Sequence, residues 1–328
     1  SQLSTLHSLM RFTTPLSLPA APFSLTPTDG ILFLGSCFAD HIGQRTAKAL
    51  PAGQIEVNPF GTLYDERTIA RTIALCSGIR ALEADTYFEG RDQLWRNWWM
   101  AGEVARPTRG ECEMAATHAL ERGRQMLGRA RLLVVTLSTP RYYQLRNAPS
   151  LNVANCHKQP AADFAERCDT LAESLDRWHR LLANLLDAHP DLRVVLTVSP
   201  YRYLKYGLPA SQVAKAQLIL LADALCRQHE RVHYFPAYEI LLDELRDYRF
   251  YAPDMLHPSA QAIDYIGERF ESWCFAPQLH AFATARRALI RDIEHRPLHP
   301  ESQAYLQFRH KLDERVQEFR KIWGEAAI

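Results

Sequence analysis

The chain lacks an excess of positive or negative charge, since it contains 38 Lys and Arg residues and 37 Asp and Glu residues. Without a strongly basic field, the composition argues against nucleic acid or an anionic membrane as a partner. The chain also lacks a run of about 18 apolar residues, which a helix needs to cross a bilayer. We therefore expect neither a membrane span nor a nucleic-acid partner.

The cysteines follow no pattern. There are seven, an odd number, and no two have the Cys-x-x-Cys spacing typical of a structural zinc site. We expect no disulfide framework, and unpaired thiols fit a reducing compartment. Residues 1–4 lack the charged region and apolar core that begin a signal peptide, although removal of such a peptide would leave no trace. The cysteines and this start together predict a cytoplasmic protein.

Apolar runs that read as buried strands alternate with segments of helical spacing. This alternation predicts an α/β fold with a parallel sheet covered by helices on both faces. Right-handed crossovers then bring the carboxyl ends of all strands to one edge of the sheet. The predicted strands are 31–34, 54–57, 132–137, 192–198 and 232–235.

The domain organisation follows from the same pattern. The proline-containing segment 1–30 is predicted to be an extended arm, residues 31–275 the main domain, and 276–328 a charged helical appendage. Within the main domain, 84–110 is an aromatic-rich insertion that we interpret as a packing element. We also predict a loop over 141–160, a helix over 163–188 and a helix that begins at Pro258.

Ser36 follows the first predicted strand and Gly35, at the point where a helix begins. Helix N–H groups at such a turn can stabilise an oxyanion, so Ser36 is a candidate nucleophile. The alternative is an ordinary N-cap serine. Asp254 and His257 lie three residues apart after the last predicted strand. In that turn the carboxylate can orient the imidazole, which can then accept the proton of Ser36.

Five sequence blocks in this order resemble those of the GSCFA family, a branch of the SGNH (GDSL-like) hydrolases. They cover roughly residues 20–275. The resemblance implies a flavodoxin-like three-layer α/β/α sandwich with Ser36 as nucleophile, His257 as base and Asp254 as orienting acid. The blocks are Gly35-Ser36-Cys37-Phe38-Ala39, Asn58-Pro59-Phe60-Gly61-Thr62, Asn155-Cys156-His157-Lys158, Thr197-Val198-Ser199-Pro200 and Asp254-x-x-His257-Pro258-Ser259.

The resemblance also implies an oxyanion hole made from three loops. The amide of Ser36 matches the first donor, and Asn58 or Gly61 lies where the second belongs. The SGNH asparagine after the third strand is absent, because Ser138 and Thr139 follow residues 132–137. Ser138 or Asn155 is the candidate replacement. Loss of one oxyanion donor costs about 3–4 kcal/mol of transition-state stabilisation.

Four basic residues are candidate substrate-binding groups, namely His157, Lys158, Arg202 and Lys205. Each also has the interpretation of a solvated surface charge. Cys37 is expected to point away from Ser36 and to act as a buried packing thiol. The remaining histidines show no ligand spacing, so we predict no metal and no cofactor.

The sequence favours an ester hydrolase that forms an acyl-enzyme on Ser36. O-acyl groups of a carbohydrate or small metabolite are the preferred substrate, by analogy with SGNH hydrolases. One alternative is an acyltransferase that passes the acyl group, for example from acyl-CoA, to a sugar hydroxyl. A second is a non-catalytic ligand-binding scaffold. The sequence leaves the acyl chain, the acceptor and a homo-oligomeric state open.

Overall fold

The computed structural model describes residues 13–328, and its centre is a parallel sheet of five strands. In chain order these are β1 (Gly30–Gly35), β2 (Ile55–Val57), β5 (Ala130–Leu137), β9 (Arg193–Val198) and β10 (Val232–Tyr234). They lie side by side in the order β10-β9-β5-β1-β2. If these five strands are numbered 1 to 5 in chain order and the sheet is read from β2 to β10, the order is 2-1-3-4-5, as in flavodoxin-like sheets.

Successive residues of β1 face two different cores, because side chains alternate across a strand. Leu32 and Leu34 pack in one core with α2 (Glu66–Cys76), α3 (Arg109–Arg129), α4 (Leu171–Ala188) and α5 (Leu208–Gln228). Ile31 and Phe33 pack in the other with α1 (Cys37–Ala47), α6 (Ala237–Glu239) and α7 (Ala260–Cys274). The sheet is therefore covered on both faces, and the predicted α/β/α architecture is confirmed.

The segment that follows β5 differs from the predicted loop. Residues 141–168 form a small antiparallel sheet of β6 (Arg141–Leu145), β7 (Asn152–Val153) and β8 (Phe164–Cys168), with β6 in the middle. The helix predicted from residue 163 therefore begins only at Leu171. Thr170 and Glu173 form its capping box, a Thr-x-x-Glu signal that marks the true start.

The predicted start of the helix at Pro258 is also wrong by two residues. Ser259 is the N-cap of α7, and its hydroxyl accepts a hydrogen bond from the amide of Ala262. Pro258 instead pairs with Tyr251 in an isolated β-bridge, which closes the turn that carries Asp254 and His257. The turn is thus tied to the fold at both ends.

The aromatic-rich segment contains a two-stranded ribbon of β3 (Tyr87–Glu89) and β4 (Trp95–Asn97). Trp98 and Trp99 follow it and are buried against the first core. The Trp98 ring stacks on Phe88 with its plane tilted by 5°. These contacts anchor the ribbon beside the sheet.

The two ends of the described chain lie on the second core. The predicted arm falls partly outside the described residues, and within 13–29 Leu25 exchanges backbone hydrogen bonds with Cys274 and Ala276. The carboxy-terminal helices α8 (Pro277–Ile293) and α9 (Gln303–Trp323) pack against each other through Phe282 and Phe319. None of the described helices is long and apolar enough to span a bilayer.

Glu66 ties α2 to α4 and is fully buried. One carboxylate oxygen accepts from Ser174 Oγ at 2.8 Å and Arg177 at 2.7 Å, and the other accepts from Trp178 Nε1 at 2.6 Å. We predict that Glu66→Ala lowers the free energy of unfolding by about 3–5 kcal/mol, because it leaves the buried indole N–H of Trp178 without its acceptor and removes one of the two carboxylate partners of Arg177. Urea unfolding measures this change. Glu113→Ala, which removes an exposed ion pair with Arg109, should stay within about 1 kcal/mol; equal losses in both variants would contradict the prediction.

Candidate active site

The turn after β1 can be made only with glycine. Gly35 has φ +144°, and a Cβ there would lie 2.5 Å from the carbonyl oxygen of Thr136. Ser36 comes next, at the N-cap position of α1, but its side chain makes no capping hydrogen bond. Its Oγ instead lies 3.5 Å from Ser199 Oγ, at the end of β9. Ser36 therefore occupies the N-cap position, but its hydroxyl does not cap the helix and is available for another interaction.

Asn58 clamps this turn from the neighbouring strand. Its Oδ1 accepts from the Gly35 amide at 2.8 Å, and its Nδ2 donates to Asp40 at 2.6 Å. The amide of Gly61 donates to the carbonyl of Asn58 at 2.8 Å. Both groups proposed as the second oxyanion donor are therefore engaged elsewhere, and neither residue lines the cavity beside Ser36. Asn58 therefore holds the turn that carries Ser36.

Asp254 and His257 are oriented as their spacing suggests. Asp254 Oδ2 accepts from His257 Nδ1 at 2.5 Å, while Oδ1 accepts from the amides of Leu256 at 2.9 Å and His257 at 3.0 Å. These hydrogen bonds lower the pKa of Asp254 to about 2, so the carboxylate stays ionised at neutral pH. The imidazole packs against Tyr201, with ring centroids 4.3 Å apart.

Ser36 and His257 open into the same cavity, which has a volume of about 480 Å³. It lies beyond the carboxyl end of β1, where the chain order of the sheet reverses and where such sheets bind ligands. No hydrogen bond joins Ser36 to His257 within residues 13–328; the hydroxyl contacts Ser199 instead. The cavity is lined by Ser36, Cys37, Tyr64, Asp65, Ser138, Thr139, Arg141, Tyr142, Tyr143, Val153, Ala154, Asn155, Cys156, Tyr201, Tyr203, Lys205, Tyr206 and His257.

Ser138 and Asn155 both line this cavity. Ser138 Oγ is buried and has no hydrogen-bond partner in the described part of the chain. Asn155 Oδ1 accepts from the amide of His157 at 2.7 Å, which fixes the orientation of its side chain. Of the residues considered for the missing oxyanion donor, these two remain available.

Cys37 lines the cavity next to Ser36 and is only partly buried, so it is not the buried packing thiol that the sequence predicts. Burial is the main cause that raises the pKa of its thiol above the ordinary value. A thiol that stays protonated at neutral pH is a poor nucleophile. The hydroxyl of Ser36 therefore has no strong competitor in this position.

Lys215 is a site residue that the sequence analysis missed. It lies on α5, is 2% exposed, and donates to the carbonyls of Ser138 at 2.9 Å and Ser199 at 2.7 Å. Burial lowers its pKa to about 7. The Lys215 amine thus joins the ends of β5 and β9, and Ser199, one of the two residues it holds, also contacts the Ser36 hydroxyl. In the sequence, Lys215 could have been recognised as a lysine on the buried face of a helix, together with Ser211, Leu218 and Ala222.

Tyrosines form much of the cavity wall, a second feature without an obvious sequence signal. They are Tyr64, Tyr142, Tyr143, Tyr201, Tyr203 and Tyr206. Lys205 lies among them but hydrogen-bonds to Tyr143 and lies 3.1 Å from Glu166. Arg141 contacts the same carboxylate at 3.0 Å. The wall therefore combines aromatic rings with two cations that share one carboxylate.

His157 and Lys158 lie outside this cavity, in a neighbouring one of about 410 Å³. Its other lining residues are Arg91, Asp92, Arg96, Gly102, Asn155 and Gln159. His157 Nε2 bonds the carbonyl of Asn97 at 3.1 Å, and burial lowers the pKa of the imidazole to about 4. His157 is therefore a neutral packing group, whereas Lys158 faces the second cavity.

Arg202 is not in either cavity. Its amide donates to the carbonyl of Leu256 at 3.2 Å, and its guanidinium lies 5.5 Å from the centre of the Tyr251 ring. Arg202 thus supports the turn that carries Asp254 and His257. Within residues 13–328 there is no group of three or more His, Cys, Asp or Glu side chains able to hold a metal ion.

Comparison with known proteins gives two family matches. The family model described as the GSCFA family matches residues 30–270. The model described as the C-terminal domain of GSCFA domain proteins matches residues 287–325. No curated protein matches the chain.

Proposed function

Because the chain belongs to the GSCFA family, we propose that its main domain is an SGNH-type serine hydrolase that cleaves carboxylic esters through an acyl-enzyme on Ser36. The observation that carries this proposal is the shared cavity of Ser36 and His257, with the imidazole held by Asp254. A nucleophile, a base and a group that orients the base are the minimum set for this chemistry.

In the proposed reaction, Ser36 Oγ attacks the ester carbonyl and passes its proton to His257 Nε2, since Nδ1 is held by Asp254. The tetrahedral intermediate collapses, and the alcohol leaves with that proton. Water then attacks the acyl-enzyme, again with His257 as base, and releases the acid. The backbone amide of Ser36, just before α1, and the Ser138 hydroxyl are the proposed oxyanion donors.

The contact between Ser36 and Ser199 belongs to the resting state of this mechanism. At 3.5 Å it is long for a hydrogen bond between hydroxyls, so little energy holds Ser36 in that rotamer. A rotation about χ1 is the step we propose to bring the hydroxyl toward His257. Catalytic hydrogen bonds commonly tighten only when substrate is bound.

The cavity wall supports an O-acylated carbohydrate or similar small metabolite as substrate. Tyrosine rings offer an apolar face for packing and a hydroxyl for hydrogen bonding, which matches a polyhydroxylated ring. Arg141 and Lys205 add donors at one side of the cavity. A cavity of about 480 Å³ is of the size that encloses a small organic ligand.

Acyl transfer is the second candidate, and the neighbouring cavity is the observation that favours it. Asn155 borders both cavities, and Arg91, Arg96 and Lys158 line the second one. Arg96 is paired with Asp92, but a phosphate-bearing donor such as acyl-CoA would find the other two cations beside the reaction centre. Product analysis with acyl-CoA and a sugar acceptor separates transfer from hydrolysis. A binding scaffold without catalysis remains the third alternative, and it predicts neither product.

A fluorophosphonate probe tests the nucleophile directly. We expect one covalent adduct, located by mass spectrometry on the peptide that contains Ser36, because the oxyanion site activates this hydroxyl alone. Ser199→Ala and Cys37→Ala, which alter its two nearest neighbours of similar chemistry, should keep the adduct. An adduct on another residue, or none under conditions that label a serine esterase of known activity, would contradict the proposal. The cytoplasmic location and a small-molecule partner stay predictions.

A further inference from the structure

A third region of the molecule is built from arginines and is not used by the proposed reaction. It is a cavity of about 340 Å³ whose lining comes mostly from helices α2 and α4. Five arginines line it, and no carboxylate does so in the described chain. The lining residues are Arg67, Ala70, Arg71, Ala74, Ile79, Arg80, Asn152, Arg177, Arg180, Leu181 and Asn184.

Four of the arginines have carboxylate partners outside the cavity wall. Arg67 lies 2.7 Å from Asp169, Arg177 lies 2.7 Å from Glu66, Arg80 lies 2.7 Å from Glu83, and Arg180 pairs with Asp176. Their charges are therefore matched, and their positions are explained by local ion pairs.

Arg71 is the exception. Its side chain is nine-tenths buried, and no carboxylate lies within 4 Å of it among residues 13–328. Nη1 donates to the carbonyl of Asn152 at 2.8 Å and Nη2 lies 3.5 Å from Thr68 Oγ1, but Nε has no acceptor there. A guanidinium stays charged in proteins. The carboxylate of Asp65 acts on this charge only from beyond ion-pair distance, and a buried charge without a direct partner is costly.

Two further features surround this guanidinium, which has no direct ion-pair partner among the described residues. The guanidinium groups of Arg71 and Arg80 both lie over the ring of Trp99, with their centres 4.8 and 4.5 Å from the ring centroid. Such stacking holds the guanidinium planes in place. Asn152 Nδ2 is also buried and without an acceptor in the described residues. Arg71 Nε and Asn152 Nδ2 are thus two buried donors, on neighbouring residues, that have no acceptor oxygen among the described residues.

We propose that this cavity binds the phosphate group of a small molecule, with Arg71 and Asn152 as the inner donors and Arg80 and Arg180 at its mouth. Phosphate suits the site because it presents several strong acceptor oxygens to guanidinium forks that are already oriented. The volume leaves room for a small organic group beside the phosphate. The inference does not depend on Ser36 chemistry.

Isothermal titration of the full chain with inorganic phosphate and with glucose 6-phosphate tests the proposal. We expect saturable binding of at least one, none of glucose, and at least a tenfold loss of affinity in Arg71→Gln. A tighter complex with the sugar phosphate identifies a phosphate ester as the ligand; equal affinities identify the free anion. Absence of saturable binding of either anion overturns the site.

The variants separate a binding role from a structural one. Since Arg71→Gln affects the core and can impair folding, Arg80→Gln and Arg180→Gln, at exposed side chains, are measured in parallel and should each weaken phosphate binding several-fold. Arg91→Gln is the matched control, because it removes an arginine from the other cationic cavity. If Arg91→Gln abolishes binding while Arg80→Gln and Arg180→Gln leave it intact, the anion binds beside Lys158 and the inference is wrong. Fluorophosphonate labelling of Ser36 should be the same in Arg80→Gln and Arg180→Gln as in the native protein.

Discussion

Replacement of Ser36 by alanine is expected to lower kcat for hydrolysis of a short-chain aryl ester by about 10⁵–10⁶, and Asp254→Asn by about 10⁴. Alanine removes the attacking oxygen. Asparagine has the same shape but only one acceptor oxygen, so it cannot accept from both the backbone amides and His257 Nδ1. It also lacks the negative charge that stabilises the imidazolium. Because hydrogen bonds lower the pKa of Asp254 to about 2, its charge is present throughout the pH range of such an assay. Steady-state kinetics on the purified variants give both ratios.

Asp247→Asn is the matched control for Asp254→Asn. Asp247 also accepts from a backbone amide, that of Arg249 at 2.9 Å, and lies in the same connection between α6 and α7, but it does not border the Ser36 cavity. Its kcat should stay within about twofold of the native value. A Ser36→Ala protein that retains native kcat would remove the nucleophile from the mechanism, whereas an unaffected Asp254→Asn alone would remove only the orienting role.

Lys215→Met is expected to change the pH dependence of stability. Burial lowers the pKa of Lys215 to about 7, against about 10.4 for an unfolded lysine. Between these values the unfolded chain binds a proton that the folded chain has released, so this group stabilises the fold as pH rises from 7 to 10. Below pH 7 the ammonium is buried in its charged form, and the cost is largest. Between pH 7 and pH 10, the titration of Lys215 should raise the free energy of unfolding of the native protein by roughly 3–5 kcal/mol. The variant should lack this contribution.

The measurement is the difference in unfolding free energy between native protein and Lys215→Met, taken from urea unfolding at pH 6 and pH 10. The carbonyls of Ser138 and Ser199 lose their donor in the variant, but that loss is the same at both pH values. Lys321→Met, at an exposed lysine, controls for the change in net charge. A difference that does not move with pH would show that Lys215 keeps its ordinary protonation in the fold.

The central strands were predictable because they are buried on both faces. β1, β5 and β9 each contain three or four consecutive apolar residues at their centres, a pattern typical of a strand that is covered on both faces. The antiparallel sheet of β6, β7 and β8 was not found, because β6 contains Arg141, Tyr143 and Gln144 and its partner β8 lies some twenty residues further along the chain. Pairing of that kind leaves no periodic signal within either segment.

The basic residues show the corresponding limit at the site. His157, Lys158, Arg202 and Lys205 all follow strands or lie in predicted loops, yet only Lys205 borders the Ser36 cavity. His157 and Lys158 both have positive φ values, so the chain turns sharply there and carries them to the far side of Asn155. Loop position in sequence indicates the correct edge of the sheet, but not the direction in which a loop side chain points.

The sequence by itself determined the α/β architecture, the glycine turn before Ser36 and the pairing of Asp254 with His257. These depend on apolar periodicity and on residues no more than three apart, so local physics is sufficient. Only the tertiary structure decided that Ser36 contacts Ser199, that Lys215 joins the ends of two strands, and that Arg71 is buried with no carboxylate of the described residues within 4 Å. These contacts join segments brought together by the packing of the sheet and helices, and their geometry depends on backbone directions that no single segment encodes.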